Sequence, residues 1–305
     1  MRAKGLSWSR LSMKRFVLLA LLLGLSTQTW GKPLIVTSIR PLTMIVNAIA
    51  GDAIEVHQLL PNAEEPHHYA MRISDQLKLN QADLVVWVGP ELESFLVRAT
   101  ANLNPEKVIT VTFMPGIQMA TQTTTNDPHV WLNPNNGIII ATEVGNWIAA
   151  HFPALRETML TNQQQFREEI RATSANISER LLPVKNSKIL VDHDAYGHFF
   201  SFFDVQQVGA LKTRSGLPAG ADSLQALLKE KELDCIIADP RSRHSRIEKV
   251  AHTIAPHTEI LTVMIDPLGA DISDSDNTYL EFLNSMTSSL ERCVTKASQQ
   301  VPNRD

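Results

Sequence analysis

From Ala154 to Leu182 the chain runs without a glycine or a proline, and Pro153 and Pro183 close it at either end. Such a stretch has one economical fold, a single long helix. At 1.5 Å per residue it spans roughly 40 Å, enough to run the length of a two-lobe molecule. Leu155, Met159, Phe166, Ile170, Ile177 and Leu181 recur at helical spacing and form one apolar stripe. Gln163 and Thr173 interrupt that stripe, and no heptad of large apolar residues is sustained. A coiled-coil dimer is therefore the weaker use of this helix. A rigid strut between two lobes is the stronger one.

On both sides of the strut, strand and helix signals alternate. Residues 34–38, 54–59, 83–88 and 107–111 read as strands in the first half. Pro41 opens a helix that Gly51 closes, Ser74 is the expected cap of a short one, and residues 91–99 read as helical. In the second half, strands are expected at 188–192, 205–208, 235–238 and 259–264, and helices at 221–233, 242–254 and 278–297. Repeated βα units favour a mainly parallel sheet with helices on both faces. The expected fold is thus α/β, with two such lobes joined by one long rigid helix. The corresponding segments are an N-terminal lobe at 32–152, a linking helix at 153–183 and a C-terminal lobe at 184–305. No short internal repeat is visible.

Residues 1–31 stand apart from this plan. They carry Arg2, Lys4, Arg10, Lys14 and Arg15 and no acidic residue, followed by an apolar run from Phe16 to Leu25. Small residues at Thr29 and Gly31 suit cleavage before Lys32, so the segment reads as a secretory signal peptide. The apolar run is too short for the ~20 residues of a spanning helix. No cysteine lies near the cleavage region to carry a lipid, and Met13 is an alternative start to Met1. Removing those five basic residues from the 28 in the chain leaves 23 against 32 acidic ones, a formal charge of −9. An acidic chain without a basic run is poorly suited to nucleic acid or to direct binding at an anionic membrane.

Cys235 and Cys293 are the two cysteines. In an oxidising compartment they read as one disulfide between the strand at 235–238 and the final helix; a metal role is the weaker reading for a pair so far apart. Closing that loop contributes ~4 kcal/mol on the chain-entropy model.

His67, His129 and His193 each lie in a turn-like context, within Glu65-Pro-His-His-Tyr69, Asp127-Pro-His-Val-Trp-Leu132 and Val191-Asp-His-Asp-Ala-Tyr-Gly197. Loops on a rigid scaffold can aim such side chains at a common point. Neutral imidazoles that converge make a transition-metal site, zinc first among the candidates. A lone histidine is more often a surface or core residue, and spacing alone does not bring three together.

Longer motifs carry further. Val36-Thr-Ser-Ile-Arg-Pro41, Leu59-Leu-Pro61, Ala82-Asp-Leu-Val-Val-Trp-Val-Gly-Pro90, His129-Val-Trp-Leu132, His193-Asp-Ala-Tyr-Gly197 and Asp266-Pro-Leu-Gly269 follow one another in order. In these the chain resembles the periplasmic solute-binding proteins of metal-uptake ABC transporters, most closely the zinc-specific ZnuA-type members. The resemblance implies two α/β lobes joined by a long helix, with metal held in the cleft. It places His67, His129 and His193 at the family's ligating positions, and Cys235 and Cys293 at a cysteine pair found in some zinc members. It also implies an inner-membrane ABC permease as partner, a monomer in the periplasm, and zinc as transported cargo rather than an enzyme's cofactor.

The resemblance leaves the fourth ligand open among Asp266, water and Glu65. Asp266 matches an aspartate that ligates in several relatives, while as a residue before Pro267 it also reads as a turn aspartate. Glu65 stands one step further from His67 than the family's glutamate, because Pro66 intervenes. His68 is expected to point away from its neighbour. The stretch from Thr112 to Asp127 contains no histidine, unlike the long histidine-rich loop of many zinc relatives. Three nitrogens and a carboxylate suit zinc, with manganese or another divalent metal as alternative. A zinc hydrolase is the rival class, but neither His-Glu-x-x-His nor Gly-x-Ser-x-Gly occurs. Asp192 and Asp194 are expected to accept hydrogen bonds around His193. Three ordinary imidazoles would lose metal as pH falls below ~6.5.

Overall fold

The computed structural model describes residues 31–120, 127–227, 233–242, 244–254, 260–273 and 278–295. The expected signal peptide, apart from Gly31, lies outside the described residues.

In the first lobe β1 (Leu34–Thr37) leads into α1 (Arg40–Ala50), then β2 (Glu55–Gln58), α2 (Ile73–Gln81), β3 (Leu84–Trp87), a short α3 (Val97–Ala101) and β4 (Val108–Thr110). The four strands are parallel in the order β2-β1-β3-β4. The second lobe repeats this with β5 (Ile189–His193), β6 (Gln207–Lys212), β7 (Cys235–Ala238) and β8 (Leu261–Met264), parallel in the order β6-β5-β7-β8. Central strands β3, β5 and β7 are buried throughout, whereas edge strands β2 and β4 are half-open. This explains why β3 and β7 read as unbroken apolar runs, and why β5 does so up to Asp192 and His193 at its carboxyl end.

Several helices depart from the sequence reading. α4 (Pro134–His151) was not expected, although its start is written plainly. Asn133 accepts from the Asn135 amide at 2.9 Å and Pro134 occupies the first turn. Ser74 does not cap α2; the cap position is Arg72, whose amide donates to Asp75 at 2.7 Å. The helix expected over 91–99 is a 3-10 turn at Ser94–Leu96 followed by α3. α6 (Gly197–Phe203) is a further short helix that the sequence reading left unassigned. α7 (Ala221–Leu227), α8 (His244–Ile254) and α9 (Thr278–Thr295) follow in the second lobe.

The strut is α5 (Arg156–Arg180), and it joins the lobes. Its buried face is Met159, Gln163, Phe166, Ile170, Ser174 and Ile177, and it packs against α1 and α4 of one lobe and α9 of the other. Gln163 does not break the face. Its amide donates to the Thr142 carbonyl of α4 at 2.8 Å, and Gly145 supplies the space, since a Cβ there would run into the Gln163 side chain. The stripe is therefore covered within the chain itself.

The lobes share one core. A single cluster of buried side chains runs from Ile35 and Leu42 through Trp131 and Phe166 to Ile189, Tyr196 and Phe282, and smaller clusters cover the outer face of each sheet. Trp131 Nε1 donates to the Pro267 carbonyl at 2.8 Å, and the Tyr279 hydroxyl donates to the Trp131 carbonyl at 2.6 Å. Arg40 donates to the carbonyls of Gly269, at 3.0 Å, and Ile272. Each such bond contributes ~1 kcal/mol net, but leaving a buried partner unmade costs more. The Cys235–Cys293 disulfide is present and ties β7 to α9.

Candidate metal centre

Each of the three histidines sits where a strand or turn ends. His193 is the last residue of β5, at the carboxyl end of a central strand, where open α/β sheets present ligand-binding groups. His67 lies in the turn after β2, its amide donating to Glu65 at 3.4 Å. His129 directly precedes the 3-10 turn Val130–Leu132.

The fold brings these distant segments to one place. One ligand-capable atom from each of His67, His129 and His193 lies within 4.8 Å of the others, which makes the only such group of His, Cys, Asp or Glu among the described residues. Ring centroids stand 5.7 Å apart for His67 with either partner and 5.1 Å apart for His129 and His193. His129 and His193 are buried. His67 Nε2 is buried too and has no hydrogen-bond partner.

Two of the imidazoles, those of His67 and His193, are disfavoured in their charged form. Burial, then the neighbouring His129 and His193, lower the pKa of His67 to about 3. Burial and then His129 lower that of His193 to about 4. Neutral rings carry the lone pairs that a metal needs. Burial of these two residues points to proton competition setting in below the ~6.5 of an ordinary imidazole.

Asp127 escaped the sequence reading. It is fully buried, and its Oδ1 accepts from His129 Nδ1 at 2.7 Å and from the His129 amide at 3.1 Å. Burial works against its charge, but the His129 hydrogen bond and the electrostatic influence of His129 and His198 hold its pKa below the ordinary value. With Nδ1 so engaged, His129 presents Nε2 to a metal, the carboxylate–histidine arrangement common around zinc. The spacing Asp127-Pro-His129 was the only available signal. His198 adds a bond from Nε2 to the Asp127 carbonyl at 3.0 Å, made from the other lobe.

The remaining candidates are engaged elsewhere. Asp266 does not join the group: its carboxylate accepts from Arg241 at 2.7 Å, from the Leu268 amide at 2.9 Å and from the Ala270 amide at 2.7 Å. That is the turn role of an aspartate before proline. Glu65 lies outside the group as well, and its pKa is raised chiefly by burial. His68 is exposed, its ring 6.4 Å from that of His67. Asp192 accepts from Lys212 at 2.9 Å and from Ser242, and Asp194 accepts from Gln207 at 2.8 Å. His193 donates instead through Nε2 to the Arg214 carbonyl at 3.1 Å, so the expected aspartate partners are replaced by a backbone oxygen.

With this geometry in view, the likenesses to known proteins fall into line. The family model described as ZnuA, zinc-uptake complex component A periplasmic, matches residues 35–293. The chain is 28% identical over 314 residues to the high-affinity zinc uptake system protein ZnuA of Haemophilus ducreyi, which covers 93% of this chain and 99% of that protein. It is also 28% identical to the protein of the same name from Yersinia pestis, over 85% of this chain and 91% of that one. Among solved structures, the periplasmic zinc-binding protein TroA of Treponema pallidum superposes with a TM-score of 0.75 at 21% identity, over 87% of this chain and 99% of its own. At that identity the superposition speaks for the fold alone. The family model spans nearly the whole chain beyond its first residues, and the chain belongs to the ZnuA family of periplasmic zinc-uptake components.

Proposed function

We propose that this chain is a periplasmic zinc carrier, holding one ion on His67, His129 and His193 and handing it to an ABC permease of the inner membrane. The observation that carries this reading is the buried, partnerless Nε2 of His67 inside a triad of imidazoles. A buried polar atom without a partner is rare, and a metal supplies that partner. Three neutral nitrogens suit zinc, whereas manganese prefers oxygen donors. The ion is cargo here, so no catalytic step is assigned to the site.

The fourth position falls to water. Asp266 already accepts from Arg241 and two backbone amides and lies outside the triad's group, which makes it the less available donor. Export by the leader at 1–31, with cleavage before Lys32, brings the chain to the compartment that its family occupies. No described helix is long and apolar enough to cross a membrane. A monomer suffices for this role, because one chain supplies the whole triad.

Elemental analysis of protein purified without chelator is the test. About one zinc per chain is expected, lost in His193→Ala and nearly unchanged in Asp266→Asn, whose affinity should fall less than tenfold. Full zinc loading of His193→Ala would overturn the assignment of the triad.

A further inference from the structure

A hairpin of the second lobe reaches the histidine triad, and one arginine on it touches both sides of the cleft. After β6, Lys212 pairs with Pro218 in an antiparallel bridge. The Thr213 amide donates to the Leu217 carbonyl at 2.7 Å and the Gly216 amide to the Thr213 carbonyl at 2.9 Å. Gly216 has φ 76°, the left-handed conformation that such a tip requires. A methyl group on it would lie 3.8 Å from His68 and 3.9 Å from both Glu65 and His67, so the tip abuts the opposite lobe.

Arg214 stands between tip and triad. Its carbonyl accepts from His193 Nε2 at 3.1 Å. Its Nε forms an ion pair at 3.3 Å with an Asp194 oxygen on its own lobe and a looser one, at 3.7 Å and beyond hydrogen-bond distance, with the Oδ2 of Asp127 on the other. The Oδ1 of that same Asp127 orients His129. One residue thus bears on two of the three histidines, on His193 through its backbone and on His129 through Asp127.

We propose that Arg214 is a positioning residue that sets how fast zinc leaves the site, by pinning the 212–218 hairpin across the cleft to Asp127. This rests on the zinc reading above. The hairpin tip abuts the His67 turn, and in this reading an ion leaves the triad past it. Lifting the hairpin parts the guanidinium from the buried Asp127, a separation of opposite charges that is unfavourable where water is scarce. Loosening the pin therefore speeds release and uptake together and alters affinity less than either rate. The opposing expectation has the other sign. A guanidinium also repels a nearby divalent cation, and if that effect dominated, removing it would slow release and tighten binding.

Zinc release into excess chelator, followed by stopped flow, separates these outcomes when paired with hydrogen exchange of the zinc-free proteins. Arg214→Ala should release zinc about tenfold faster than wild type, and its Thr213 and Gly216 amides should exchange faster. Arg214→Lys keeps a cation within reach of Asp127 and should release at close to the wild-type rate. Release from Arg214→Ala at the wild-type rate or slower overturns the proposal. Should Arg214→Ala fail to fold, Arg214→Gln keeps most of the side chain without its charge and must also release zinc faster than wild type, or the proposal falls. Wild-type protein that takes up no zinc defeats the metal reading instead, and exchange at Thr213 and Gly216 in the zinc-free variants still decides whether the pin exists.

Discussion

His67 and His193 carry opposite demands, because the burial that excludes water from them also makes their protonation unfavourable. The consequence for pH has a definite sign. Both pKa values are lowered, from 6.5 to about 3 and about 4, so the unfolded chain takes up these protons before the folded one does. Their contribution to stability is complete above about pH 6.5 and is lost as pH falls toward 4 and then 3. Zinc-free protein should accordingly melt at progressively lower temperature across that window. Zinc binding should meet little proton competition from these two residues above about pH 5. A competition titration whose log affinity falls by about two to three per pH unit between 6.5 and 5 would show three ordinary imidazoles instead. The candidate ligands themselves were legible as residues in turns. Their supports were not: Arg214 and His198 meet Asp127 only in the folded chain, and no local spacing announces such a contact.

At the level of elements, the strands were readable because burial on both faces writes an unbroken apolar run, as in Leu84–Trp87 and Cys235–Ala238. The linking helix was readable from its bracketing prolines. α4 was harder, since glycines at 137 and 145 lower helical propensity where the packing requires them. A Cβ at Gly137 would collide with the Tyr279 ring, and one at Gly145 with the amide of Gln163. Gln163 looked like a break in the strut's stripe for the same reason, because its partner is a carbonyl of a helix not foreseen. Gly145→Ala should therefore destabilise the protein by about 1–3 kcal/mol, even though alanine is the better helix former. The double variant with Gln163→Ala should recover part of that loss. Chemical denaturation of the three variants measures it, and a Gly145→Ala midpoint at or above wild type would remove the close-packing account of α4 and α5.

For the whole molecule, the strut and the core shared by both lobes bear on how the cleft can move. α5 packs against helices of both lobes, and Trp131 donates to the Pro267 carbonyl and accepts from the Tyr279 hydroxyl across them. A wide hinge would leave those buried groups without partners. Closure around zinc should be small, with the radius of gyration from X-ray scattering changing by less than about 1 Å. Loaded protein should also melt higher, by about 2.7 kcal/mol of added stability at a hundredfold excess of zinc over Kd. A compaction of several ångströms would refute the strut. The shared core has a further consequence, for inheritance rather than for motion. With Trp131 bonded to Pro267 and Phe166 packed against Tyr279, neither half carries a finished surface of its own. A gene cut at the linking helix would encode two sticky fragments rather than two modules. Such a protein can change by substitution in its loops, but it cannot trade one lobe for another's by recombination.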